Sequence, residues 1–216
     1  MPTPEQILSG LREIANSWKA VAVAWHIYFG VLALALAFGI RPPKRTAGVL
    51  LALPFLSVSA LAWLTPNPVN GVVFAVIGIV LLVVAARLPR DHIRIALRWS
   101  LILGVLLSAF GWVYPHFLDT SSYWPYLYMA PTGIVPCPTL MIVIGSTLVL
   151  GGLSSRTFST TLGVVGLLYG TIGVGYLHVV LDWVLIVGGI LILVHTFAEK
   201  EGLYEDTDST RNPSLV

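Results

Sequence analysis

The sequence predicts an all-α integral membrane bundle of seven transmembrane helices, with the N-terminus outside and the C-terminus cytoplasmic. Three observations lead there. Of the 216 residues, 56% are hydrophobic and only 10% charged, with a mean hydropathy of +0.87, whereas a water-soluble domain carries about 25% charged residues. The charges are also bunched into the segments 5–19, 41–45, 87–98 and 199–211, so that only Asp119, Arg156 and Asp182 lie elsewhere. Finally, Lys and Arg occur in every second connection between the apolar stretches. This composition excludes a water-soluble enzyme, a nucleic-acid binder and a disordered regulator.

Residues 1–20 come before the first span and read as an amphipathic interfacial segment. Thr3-Pro4-Glu5-Gln6 is a helix start, with a capping Thr, Pro at the first helical position and Gln completing a capping box. Ile7, Leu8, Leu11, Ile14, Ala15 and Trp18 then recur at helical spacing, which predicts a helix lying on the outer membrane surface. Glu5 and Glu13 beside Arg12 and Lys19, and the length of the next apolar run, argue against a cleaved signal peptide.

A helix needs about 20 mainly apolar residues to cross about 30 Å of hydrocarbon. Stretches of this kind lie near 21–40, 47–64, 69–86, 97–114, 136–152, 159–176 and 178–197, giving a transmembrane domain over 21–198. The segment 159–197 is too long for one span and is rich in Gly, so two helices with a turn near Gly175 are expected. Gly166 and Gly170 suit close helix packing. Segments of about ten residues with alternating polarity, the mark of a membrane β-barrel, are not visible.

Orientation follows from the excess of Lys and Arg in cytoplasmic loops. The first, third and fifth connections carry Arg41, Lys44 and Arg45, then Arg87, Arg90, Arg94 and Arg98, then Arg156; the second, fourth and sixth carry none. The alternation calls for an odd number of spans and an outside N-terminus. Residues 199–216 form an acidic cytoplasmic tail that the composition predicts to be disordered. Six of the seven tryptophans fall near the outer face and only Trp99 near the inner one, a lopsided belt.

Polar groups at membrane depth are costly and mark functional sites by default. On the outer side these are His26, His116 and His178, the acids Asp119 and Asp182, Asn67 and the single Cys137. His26, Asn67, His116, Asp119, Cys137 and Thr139 make the candidate ligand-binding set. His178 and Asp182, four apart, would share one face of a helix and form a candidate metal pair. Asn67 before Pro68 also reads simply as a helix cap. The long fourth connection holds Tyr114, Phe117, Tyr123, Trp124, Tyr126 and Tyr128, which suits either an interfacial anchor or a lid over a cavity. Its end, Pro131-Thr132-Gly133-Ile134-Val135-Pro136-Cys137-Pro138-Thr139, predicts a helix beginning at Pro138 with Cys137 as its cap. One cysteine allows no internal disulfide and no CxxC pair.

The run from Tyr114-Pro115 through Tyr126 to Pro136-Cys137-Pro138-Thr139 resembles an uncharacterised bacterial family of multi-pass membrane proteins, a domain of unknown function. Its Gly-x-x-Pro-Cys-Pro-Thr segment is matched by Gly133, Pro136, Cys137, Pro138 and Thr139, and Asn67-Pro68 and Asp182 are similar as well. The family commonly continues with a second Thr where this chain has Leu140. The resemblance implies a multi-pass protein of the plasma (bacterial inner) membrane and no particular activity.

These features leave three functional expectations. The foremost is binding or transport of a small solute or metal ion through an outward-facing site. The second is an accessory subunit docked on a membrane protein partner, and the third a membrane-embedded metallohydrolase whose zinc would activate water. The lipid bilayer is a partner in each case and nucleic acid in none. A retinal-type photoreceptor is disfavoured, because no lysine precedes Lys200 in the last span.

Overall fold

The computed structural model describes residues 3–211 apart from 66 and 97, with side chains up to residue 198. Among these residues the regular elements are α-helices: α1 (Pro4–Ser17), α2 (Lys19–Ala37), α3 (Lys44–Leu64), α4 (Pro68–Arg87), α5 (Arg98–Val113), the single turn α6 (Tyr126–Met129), α7 (Pro136–Val149), α8 (Arg156–Gly175) and α9 (Trp183–Arg211). Two 3-10 turns, Gly151–Ser154 and Val180–Asp182, lead into α8 and α9. Among the described residues five segments are long and apolar enough to cross a membrane, namely α2, α3, α4, α8 and Val180–Ala198. α5 and α7 lie where spans are predicted but have 16 and 14 residues, about 24 and 21 Å of helix. The chain is an all-helical, multi-pass membrane protein. α9 runs on into the acidic segment as far as Arg211; the last part of the predicted tail, 212–216, lies outside the described residues.

Local chemistry explains most of the helix starts. The Thr3 hydroxyl accepts from the Gln6 N–H and the Gln6 side chain accepts from the Thr3 N–H, the capping box that the sequence predicts. Asn67 caps α4 through the Asn70 N–H, and Ser155 caps α8 through the Phe158 N–H. α7 differs from expectation. It begins at Pro136, Val135 is its cap residue, and Cys137 falls in the first turn with no capping role. Either proline suits a first turn, which needs no N–H there; Thr139 decides between them. Its hydroxyl donates to the Val135 carbonyl at 2.6 Å and accepts from the Gly133 N–H at 2.8 Å. A side chain one turn inside the helix thus closes its entrance, which pushes the start two residues back.

The helices pack mainly as the pairs α3 with α4, α5 with α7, and α8 with α9, and α7 also touches α3, α8 and α9. α7 is the centre of the molecule: twelve of its fourteen residues are buried. The non-helical segment 130–135 that leads into it is buried throughout. Irregular backbone at such depth requires internal partners, and here it has them. Thr132 Oγ1 donates to the Gly111 carbonyl at 2.7 Å, the Ile134 and Val135 N–H groups turn back to the Pro131 carbonyl, and Thr139 holds Gly133. Gly133 is in the left-handed region (φ 78°), and the Trp25 indole occupies the space a Cβ would need.

The two ends of the bundle differ in chemistry. At one end the basic connections join each other. Pro43 and His92 form an antiparallel bridge, and the Lys44 ammonium meets the Asp91 carboxylate at 2.7 Å. The Ala96 N–H donates to the Val149 carbonyl, tying the third connection to the end of α7. Lys44 draws the Asp91 carboxyl below the usual range, chiefly through its hydrogen bond. The opposite end gathers the fourth connection and α1. α1 departs from its prediction in one respect. Leu11, Ile14 and Ala15, the centre of its apolar face, are buried against the protein core and not against lipid. An amphipathic pattern specifies that one face is covered, and here the bundle covers it.

Candidate functional site

At the aromatic end, two groups 45 positions apart in sequence converge. Asp182 ends the 3-10 turn before α9, and its side chain is 1% exposed. The Tyr114 hydroxyl, just past α5, donates to Asp182 Oδ1 at 2.8 Å. The Cys137 thiol, in the first turn of α7, lies 3.1 Å from Asp182 Oδ2 as the second donor. Gly173 of α8 backs the carboxylate so closely that any Cβ there would overlap it. Four elements, α5, α7, α8 and the entrance of α9, therefore enclose one acid. Among the described residues no Lys, Arg or His pairs with it; its side-chain donors are a phenol and a thiol.

A buried carboxylate whose partners are all neutral is electrostatically unfinished. Removing a charge from water costs several kcal/mol even after relaxation. Two hydrogen bonds from neutral donors offset only part of that. Such a group completes its environment with a proton or with a bound cation.

Of the other predicted site residues, His116 packs edge-on to Tyr114 with ring centroids 6.4 Å apart, and the rest are engaged elsewhere. His178 and Asp182 do not share a helix face, because α8 ends at Gly175 and the chain turns sharply between them. His178 sits in the left-handed region (φ 57°), is exposed, and lies near Glu5 of α1. The Glu5 carboxyl is held below its usual range by a backbone hydrogen bond and the Thr3 hydroxyl, with a contribution from His178. Among the described residues no group of three or more His, Cys, Asp or Glu is placed to hold a metal. The side chains that meet Asp182 are the Cys137 thiol and the Tyr114 phenol.

His26 is buried on α2, and both its ring nitrogens face backbone carbonyls, of Ala22 and of Trp112, each at 2.9 Å. Its role is to dock α2 on the end of α5, where the last carbonyls lack partners within the helix. Asn67 is the cap of α4. Asn70, one turn on, accepts a 2.9 Å hydrogen bond from the Tyr169 hydroxyl of α8. His116 is half-buried with its ring edge-on to Phe117 at 4.3 Å. Burial pushes its imidazole below the ordinary value, and Arg12 nearby adds to the effect. Asp119 is exposed, and its backbone N–H donates to Asn16 Oδ1. Thr139 closes the α7 entrance and has no oxygen turned to the site.

Sequence reasoning thus selected Asp182 and Cys137 but missed Tyr114 as their partner. The available signal was that a buried acid must find donors, and Tyr114 is a hydroxyl at the same end of the next-but-two helix. Gly173 and Asn16 carried no individual signal. The chain matches no protein-family model, no curated protein and no solved structure.

Proposed function

We propose that the chain binds, and carries across the plasma membrane, a small cationic solute or metal ion through a site reached from the outer side, with Asp182 as the charge that recognises it. The observation that supports this most directly is the buried Asp182 carboxylate with only neutral donors around it. Its surroundings fit the reading. The buried irregular segment 130–135 and the α7 start beside it are broken-helix architecture, which membrane proteins use where backbone lines a binding cavity. In this reading all seven apolar helices traverse the bilayer, the N-terminus is outside, and the basic end faces the cytoplasm. α5 and α7 reach across with the help of the buried segment and the 3-10 turn that flank α7. Tyr114 and Cys137 position the carboxylate and would turn with it when the cation enters.

The test is a reconstitution. Purified protein in liposomes is screened for uptake of monovalent and divalent cations and small amines, alongside thermal stabilisation by the same compounds. A compound present at 100 times its Kd adds about 2.7 kcal/mol, which is readily detected. We expect at least one cation to bind and to accumulate, and Asp182→Asn to abolish both effects while leaving the protein folded. Absence of binding and flux across the screen, or an Asp182→Asn protein that still transports, overturns the reading.

A docked accessory subunit is the second reading, carried by Tyr123 and Trp124, which project from the fourth connection 83% and 74% exposed. A partner that co-purifies in fixed ratio and is lost on Trp124→Ser would favour it. For a zinc hydrolase, no third ligand joins His178 and Asp182 among the described residues.

A further inference from the structure

We infer that α1 and the segment 114–119 form a latched gate over Asp182, with Asn16 as the latch. This rests on the reading of Asp182 as the recognising charge and adds how that site is closed.

The chain of contacts is continuous. Asn16, at the end of α1, brackets the fourth connection with both ends of its amide. Its Nδ2 donates to the Phe117 carbonyl at 2.9 Å and its Oδ1 accepts from the Asp119 N–H at 2.9 Å. Between those bonds Phe117 is held at φ 74°, in the left-handed region, which a bulky aromatic residue rarely adopts. The Phe117 ring stacks on Tyr114, with centroids 6.1 Å apart and planes at 21°. Tyr114 in turn donates to Asp182. A second left-handed residue at this end, His178 at φ 57°, lies near Glu5 of α1. Strain held in place at a functional site is a reason to look for a second state.

α1 is built to move as one piece. Its backbone bonds are internal, its capping box is complete, and the break at Trp18 (φ −113°, ψ 32°) separates it from α2. Among the described residues, the hydrogen bonds that fasten it to the fourth connection are the two from Asn16. Leu11, Ile14 and Ala15 supply the rest of the hold by apolar burial. Lifting α1 therefore breaks no helical ladder. It releases Phe117, frees the Tyr114 ring and opens Asp182 to the outer solution.

The only cysteine of the chain lies beside Asp182, so the native protein reports on its own gate. The experiment measures how fast a small charged methanethiosulfonate, added outside proteoliposomes, labels Cys137. Asn16→Ala should raise that rate about tenfold, since two hydrogen bonds of the closed state are lost, and Ile14→Ser should act in the same direction. Thr161→Ala, on α8 near the basic end, should leave the rate unchanged. Thermal unfolding of each variant shows that it is folded. Folded Asn16→Ala and Ile14→Ser proteins with the wild-type labelling rate overturn the gate, as does an equal rise in Thr161→Ala. If labelling rises but no cation is bound or carried, the gate stands and the proposed function falls. If Asp182-dependent flux is found while neither α1 variant changes labelling, the function stands and the gate falls.

Discussion

Tyr114 and Asp182 are 68 positions apart in the chain and joined by a 2.8 Å hydrogen bond inside the bundle. The phenol is completely buried along with the acid, so neither group has water to fall back on. A bond of this kind is worth most when one partner is removed and the other is left behind.

Tyr114→Phe should destabilise the protein by about 1–3 kcal/mol, the desolvation penalty of an acceptor that loses its donor. The same substitution made in an Asp182→Ala background should cost at least about 1 kcal/mol less, because the two residues act on one bond. Denaturant titration in detergent, read by tryptophan fluorescence, measures the cycle. Additive effects would mean that the pair is not coupled.

Gly133→Ala tests the buried turn before α7. The left-handed backbone alone costs an Ala about 1 kcal/mol, and the Trp25 indole stands where the methyl would go. We expect a loss clearly above 1 kcal/mol, of the size seen for overpacked cores. Trp25→Ala should recover part of it in the double variant while being destabilising by itself. A Gly133→Ala protein as stable as wild type would contradict the described turn.

Acidification should loosen the fourth connection through His116. Burial keeps this imidazole below its ordinary value in the fold, so the unfolded chain binds the proton more readily. Stability from this residue is therefore complete above about pH 6.5 and falls as the pH drops below that towards the folded value. His116→Gln should flatten the dependence of the melting temperature between pH 7.5 and about 5.5, relative to wild type. An unchanged slope would remove His116 from the account.

His26→Leu should weaken the attachment of α2. The Trp112 carbonyl, in the last turn of α5, would lose its side-chain partner, at about 1–3 kcal/mol. Trp25 to Ser57 and Tyr28 to the Leu50 carbonyl remain as ties. Hydrogen exchange should therefore accelerate in α2 and at the end of α5 more than in α8 or α9. Uniform acceleration would speak against a local docking role.

The parts of the structure legible in sequence are those governed by neighbouring residues. Hydropathy placed the apolar helices, Thr3 and Asn67 announced their caps, and the alternation of basic loops matched a bundle with one basic end. What stayed hidden depends on distant residues. The pairing of Cys137 with Asp182 crosses 45 positions, and nothing in either local context selects the other. Tyr114 looked like one more interfacial aromatic because a phenol at a span end usually is one. The sequence pattern of α1 led to lipid as its cover where the bundle covers it, since an apolar stripe is the same whether lipid or protein meets it. For α7, Pro136 and Pro138 were equally good starts by local rules, and a long-range bracket through Thr139 chose between them.

The enclosure of α7 has a consequence for how the protein is made. A helix of about 21 Å leaves about a third of a 30 Å hydrocarbon layer without a match. This one also has almost no surface left for lipid once its neighbours are in place. It cannot rest in the bilayer as an independent unit in the way α2, α3 or α4 can. α7 must arrive by way of its partners, so the element that carries Cys137 is stable only in a nearly finished bundle. Maturation of the site then coincides with closure of the fold, and a half-assembled chain should show a reactive thiol that the completed protein hides.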